Sequence, residues 1–162
     1  MTNLYGDDYT NMLDRLGSDD LKIEEITKKE IIEIHDYMVY KHGGSYGIRD
    51  KGLFESTCEA PYQKVFGMDP YPTIWDKAAK YLFDFSNYQI FIDGNKRTGI
   101  GVCDAFLKKN GISLTLTPEQ TYNLVMDIAN HKYNDSPDLV QVLKDNFVFI
   151  DKEGVDYMPP SR

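Results

Sequence analysis

Cysteine, histidine and basic charge are scarce in this chain, and long apolar runs are missing. Two cysteines in 162 residues, Cys58 and Cys103, stand far apart with no CxxC pair or Cys/His cluster around either. That excludes a disulfide framework and a zinc knuckle, and both read as buried small side chains in a reducing compartment. No apolar run approaches a membrane span. The opening MTNLYGDDYTNMLDRL has neither the basic nor the apolar region of a secretory leader, so no membrane and a cytoplasmic location are expected. Lys and Arg number 18 against 26 Asp and Glu, a net charge of −8. A chain this acidic repels a nucleic-acid backbone over any broad face, so no nucleic-acid partner is expected; a local basic pocket is still compatible. With 12 Gly and 7 Pro, collagen-like and linker-like chains are excluded. What is there is ordinary: 41% hydrophobic and 27% charged residues, enough for one folded domain with its own core.

Helix-start signals dominate. Thr27-Lys28-Lys29-Glu30 reads as a capping box opening a helix with Ile31, Ile34, Tyr37 and Met38 on one face, stopped at Gly43-Gly44. Asp50 reads as the cap of a short helix towards Pro61. Thr73 starts a longer one in which Trp75, Ala78, Ala79, Leu82 and Phe83 recur at helical spacing. A further helix is expected from about Asn95 to Asn110, with Ile100, Cys103, Phe106 and Leu107 on its apolar side and Gly111 ending it. Thr117-Pro118-Glu119-Gln120 is a second capping box with Pro at the first helical position, and Ser136-Pro137 reads as the same device. Strand signals are confined to Ile112–Leu116 and Phe147–Ile150. The fold class is therefore mainly α, compact and helical, with little or no β-structure. Residues 24–148 are expected to form the domain, with 1–23 an N-terminal extension and 149–162 a tail. Tyr37, Tyr81 and Tyr122 fall among apolar neighbours and read as core or rim.

Chemistry concentrates in Gln89-Ile90-Phe91-Ile92-Asp93-Gly94-Asn95-Lys96-Arg97. Asp93-Gly94 reads as a tight turn before a helix, with Gly94 free to take positive φ. Asn95, Lys96 and Arg97 then fall in the first helical turn, where free N–H groups favour an anion. Cations there oppose the helix dipole, so their presence points to an external polyanion. Arg97 can hold phosphate oxygens bidentately, Lys96 supplies a point charge, Asn95 an amide, and Asp93 a carboxylate for Mg²⁺. A plain surface turn with solvated charges fits the same spacing, which leaves both readings open.

The stretch resembles the signature of the Fic/Doc (Fido) family, specifically its death-on-curing (Doc) branch, H-x-F-x-[D/N]-[G/A]-N-K-R. Gly43-Gly44-Ser45-Tyr46-Gly47-Ile48-Arg49-Asp50-Lys51-Gly52 is similar to the upstream GG-x-x-G-[LM]-x-D-x-G segment. Pro61, Tyr71-Pro72, Lys77-Ala78-Ala79 and Phe106-Leu107 through Asn110-Gly111 extend the resemblance over Glu24 to Val148. It implies a helical domain that binds ATP and Mg²⁺ and transfers a phosphoryl (or nucleotidyl) group to a Ser, Thr or Tyr hydroxyl of a protein such as a translation factor. Asp93 then corresponds to the acid that orients metal or phosphate. Gly94, Asn95, Lys96 and Arg97 correspond to the phosphate cradle, and Phe91 to the aromatic that packs the loop inward. Lys96, where nucleotidyl-transferring members carry glycine, marks the Doc branch. The Gly43–Gly47 segment corresponds to an edge that aligns the target chain. Control by a separate antitoxin protein is implied. The position of the self-inhibition arginine is Ile100, and Glu153-Gly154 is read as a coincidental match to the inhibitory motif.

One position departs from the pattern. Gln89 stands where the family has the histidine that takes a proton from the attacking hydroxyl, and an amide cannot do so near neutral pH. Natural loss of activity, a natural variant using another base, and an engineered change all accommodate Gln89. A catalytically silent nucleotide- or protein-binding module is therefore the alternative reading. Tyr88 reads as a weak candidate for the base, His35 as a surface or satisfied core histidine, His42 as a helix-end residue, and His131 as solvated.

Overall fold

The computed structural model describes residues 22–150 together with the strand at 156–157. In chain order its elements are α1 (Lys28–His42), α2 (Lys51–Glu59) running into a 3₁₀ turn at Ala60–Tyr62, α3 (Ile74–Asn87), α4 (Asn95–Lys109), β1 (Ile112–Leu114), α5 (Pro118–Ala129), α6 (Pro137–Lys144), β2 (Phe147–Ile150) and β3 (Asp156–Tyr157). The domain is mainly α, as expected. Its small sheet is antiparallel in the order β1-β2-β3, with Ile112 opposite Phe149 and Leu114 opposite Phe147. β3 lies within the segment read as a tail. Glu153 and Gly154, most of the 1–23 extension and the end of the tail lie outside the described residues.

Local chemistry accounts for the helix starts. Thr27, Thr73 and Thr117 each accept the N–H three residues on, and Glu30, Asp76 and Gln120 accept the threonine N–H in return. Asp50 caps α2 by accepting from Leu53 N–H at 3.0 Å. Ser136 does not cap α6, contrary to expectation. Its backbone is already helical, its side chain makes no cap bond and it is buried, while Asp138 ties the entry loop by accepting from Asn134 N–H. The buried stripe of α1 also differs from the reading: Ile31, His35 and Val39 face inward and Tyr37 is exposed. A four-residue step keeps that stripe narrower than the run of apolar types suggested.

α3 is the central element, buried around most of its circumference from Ile74 to Ser86. Tyr81, Phe85 and Phe106 form an aromatic layer between α3 and α4, and Trp75 meets Phe147 of β2 edge-on at 4.8 Å. α3 and α4 approach closely where Gly99 faces Ser86: a Cβ added at Gly99 would lie 2.4 Å from Ser86 Oγ and 3.1 Å from its backbone nitrogen.

Lys77, also on α3, is 4% exposed and has all three ammonium hydrogens engaged. Nζ donates to the Tyr71 carbonyl at 2.6 Å, the Pro61 carbonyl at 2.9 Å and Asp69 Oδ2 at 3.0 Å. An unpaired buried ammonium costs several kcal/mol, so the loop between α2 and α3 is held by its need for these acceptors. That loop carries a two-residue hairpin, Val65 paired with Met68, with positive φ at Phe66 and Gly67.

Candidate functional site

α3 ends at Asn87, and the chain reaches α4 through residues 88–94. One ring pins this connection. Phe91 is buried among His35 of α1, stacked at 3.9 Å and 11°, Phe54 of α2 at 5.9 Å and Phe85 of α3 at 6.2 Å. Three helices thus form its slot, and burial of such a side chain is worth about 1.5–3 kcal/mol. Gly94 takes φ 80° and ψ 17°, the left-handed conformation that turns the chain into α4 without a Cβ penalty. Asn95 closes the turn: its Oδ1 accepts from Phe91 N–H and its Nδ2 donates to the Phe91 carbonyl.

The upstream glycine-rich segment clasps the same loop. Ile92 N–H donates to Gly47 O, Arg49 and Asp50 N–H to Ile90 O, and the Arg49 side chain to the Gln89 carbonyl, with Ile48 bridged antiparallel to Phe91. Ser45 N–H donates to Asp93 Oδ2 at 2.8 Å. The two sequence blocks that carried the resemblance are therefore one structural unit.

All the candidate residues meet in a cleft of about 430 Å³. Gln89, Asp93, Gly94, Asn95, Lys96 and Arg97 line one side and Tyr122, Val125 and Met126 of α5 the other. That volume is in the range of small-ligand sites. Gln89, Asp93, Lys96 and Arg97 are exposed. Lys96 and Arg97 have no carboxylate or hydrogen-bond partner among the described residues, although the chain is strongly acidic. The backbone N–H groups of Gly94, Asn95, Lys96 and Arg97 also lack acceptors there, since the first helical bond runs from Thr98 N–H to Gly94 O. Two free cations and the positive end of a helix dipole converge on one mouth of the cleft, an arrangement whose electrostatics favour an anion.

Among the described residues Asp93 is the only carboxylate in the cleft lining, and one of its oxygens is taken by Ser45. No group of three His, Cys, Asp or Glu side chains able to cage a metal occurs among the described residues. The donor set fits a hard cation shared with phosphate oxygens, as Mg²⁺ commonly is, and does not fit an all-protein metal centre. The Asn95 amide, expected to reach an anion, is largely committed to the loop backbone. What it offers the cleft is mainly its own N–H and the shape it enforces on the turn.

Sequence reasoning missed two parts of the site. The α5 wall is one: Tyr122 is two-thirds exposed at the cleft and not in the core. Apolar residues in excess of the buried pair Leu124 and Ile128 were the available signal. The other is the layer beneath the loop, where His35 and the Ser45 N–H reach Asp93; a backbone donor has no sequence signature.

Known proteins resemble this chain. Toxin Doc of Mycolicibacterium smegmatis (strain ATCC 700084 / mc(2)155) is 40% identical over 72 residues, covering 44% of this chain and 55% of that protein. Protein kinase doc of Escherichia phage P1 is 29% identical over 97 residues, covering 60% of this chain and 76% of that protein. The chain thus spans about half the length of the first relative and three quarters of the second. No helix among the described residues is long and apolar enough to cross a membrane. The Fic/DOC family profile matches residues 25–107, just over half the chain and the interval that holds both the glycine-rich clasp and the Asp93–Arg97 turn, and the protein belongs to that family.

Proposed function

We propose that this protein is a Doc-type toxin that binds ATP with Mg²⁺ at Asp93–Arg97 and transfers a phosphoryl group to a Ser, Thr or Tyr hydroxyl of a target protein such as a translation factor. The observation that carries the reading is the pair of unpartnered cations, Lys96 and Arg97, beside the free N–H groups opening α4. The name of the phage P1 relative, protein kinase doc, favours phosphoryl over nucleotidyl transfer. In this reading Arg97 would grip phosphate oxygens, Lys96 would offset charge gathering on the transferred group, and the Asp93 carboxylate would hold Mg²⁺, which would supply charge neutralisation when bound. Tyr122, Val125 and Met126 offer an apolar wall for the nucleoside end. The Gly43–Gly47 segment of the clasp is where a target chain would align, and an antitoxin protein would control the active form.

Gln89 limits the rate. It lines the cleft, and in this reading its amide orients the attacking hydroxyl without taking the proton. Absence of a general base costs about 10²–10⁴-fold. Transfer of labelled γ-phosphate from ATP to candidate translation factors, compared between this chain and Gln89→His, tests the proposal. The variant is expected to exceed the parent by that factor, and inactivity of both overturns the transferase reading. Gln89 itself favours the second reading, a silent nucleotide- or protein-binding module, for which ATP·Mg²⁺ binding without turnover in either form is the expected result.

A further inference from the structure

We propose that His35 is a positioning residue that sets the polarity of the anion-binding turn by holding the Asp93–Gly94 peptide in one of its two orientations. The inference rests on the reading of that turn as an anion cradle and adds the element that orients it.

His35 sits mid-way along α1, 1% exposed, with its ring flat against Phe91. Nε2 lies 2.7 Å from the Asp93 carbonyl oxygen. A carbonyl oxygen only accepts, so Nε2 carries the proton and donates. Nδ1 lies 3.1 Å from Asp36 Oδ1, and the stack on Phe91 sets the plane of the ring.

In a trans peptide the carbonyl and the following N–H point in opposite directions. No cis bond occurs among the described residues. With the Asp93 oxygen drawn towards α1, the Gly94 N–H must point away from α1. No residue of α1 lines the cleft, and Gly94 does, so that N–H is presented on the ligand's side. The alternative is a flipped peptide. Gly94 has no Cβ and sits at φ 80°, and glycine visits positive and negative φ about equally, so the backbone itself does little to prevent the flip. A flipped peptide would aim the Asp93 carbonyl dipole, negative end first, at the place an anion occupies. The turn motif supplies a site that can face either way, and the buried imidazole selects the orientation that binds.

Phe91 stacking and hydrogen-bond donation can be separated. His35→Phe keeps a flat ring beside Phe91 and removes the donor; His35→Gln places an amide N–H near Nε2 and removes the ring. In ¹⁵N,¹³C-labelled full chain, a scalar coupling across the hydrogen bond from His35 Nε2 to the Asp93 carbonyl carbon is expected. The Gly94 and Asn95 amide resonances should move in His35→Phe and stay close to the parent in His35→Gln. Inorganic triphosphate binding by calorimetry should weaken about tenfold in His35→Phe, the size of one lost anion hydrogen bond, and recover in His35→Gln. Absence of the coupling in the parent, unmoved Gly94 and Asn95 amides in His35→Phe, or equal losses in both variants would overturn the assignment. If His35→Phe fails to fold, the parent coupling and the His35→Gln spectrum decide it. Failure of the parent to bind triphosphate would instead remove the anion reading, while the amide spectra still report whether His35 holds the peptide.

Discussion

Asn95 brackets the residue that anchors its own loop, its Oδ1 2.9 Å from Phe91 N and its Nδ2 3.0 Å from Phe91 O. A single amide thereby satisfies both backbone groups of a residue that has no sheet or helix to do so. Asn95→Ala leaves both without a partner and should cost about 1–3 kcal/mol in urea unfolding. Asn95→Asp keeps the acceptor, loses the donor and sets a charge against the Phe91 carbonyl, so it should be no better tolerated.

Lys96 and Arg97 should show opposite effects on folding and on binding. Each opposes the dipole of α4, so Lys96→Ala and Arg97→Ala should leave thermal stability unchanged or raise it by a few tenths of a kcal/mol, about the size of a helix-terminus charge effect. ATP·Mg²⁺ affinity should fall about 10- to 100-fold for Arg97→Ala, since charge-assisted hydrogen bonds contribute about 1.5–3 kcal/mol. Calorimetric titration beside a melting curve checks both signs. Loss of stability with unchanged affinity would mark the two cations as structural.

Gly99 is where α3 and α4 come closest, and the atoms a new Cβ would meet there include Ser86 nitrogen at 3.1 Å and Leu82 oxygen at 3.2 Å. Backbone cannot swing aside, so Gly99→Ala should destabilise by about 1–3 kcal/mol, the usual range for overpacking. Gly101→Ala meets only Ile34 Cγ2 and Met38 Cε, each at 2.9 Å. Those are side-chain ends that can re-rotate, and the substitution also favours the helix, so its cost should be clearly smaller in parallel denaturant curves.

Glu30 links the first capping box to α4. Partial burial pushes its carboxyl upward, but the Lys109 ammonium at 2.7 Å and the Thr27 hydroxyl and N–H outweigh that, so it titrates below the ordinary 4.5. A carboxyl lowered on folding contributes stability that is fully present above its unfolded value and is lost as pH falls through its folded value. Glu30→Gln retains a cap acceptor and loses the ion pair. About a third of each side chain remains exposed, so solvent screening limits the difference from the parent to about 0.5 kcal/mol near neutral pH. Denaturation at a series of pH values should show the gap closing below about pH 4.

The centre of the candidate site was legible because it is contiguous. Asp93 to Arg97 carry a turn, a helix start and two cations in one stretch, and each implication is local. Helix starts at Thr27, Thr73 and Thr117 were legible for the same reason. What escaped depends on tertiary placement. Tyr37 was read onto the apolar face of α1 and Val39 was not, and only the direction of approach of the motif loop decides that Val39 is buried and Tyr37 is exposed. Tyr122 reads as core or rim by type and becomes a cleft wall only because α5 crosses opposite α4. Ser136 matched a capping pattern, but its backbone turned helical one residue early and its hydroxyl lost the geometry to cap.

Lys77 draws the carbonyls of Pro61 and Tyr71 and the carboxylate of Asp69 onto a single atom of α3. A loop fastened in this way cannot fray independently: releasing it strands an ammonium in the interior, and freeing the ammonium requires the helix to move. The segment from Pro61 to Tyr71 and the first turns of α3 should therefore open as one cooperative unit, exchanging their slow amides with a common free energy despite the irregular backbone of the loop.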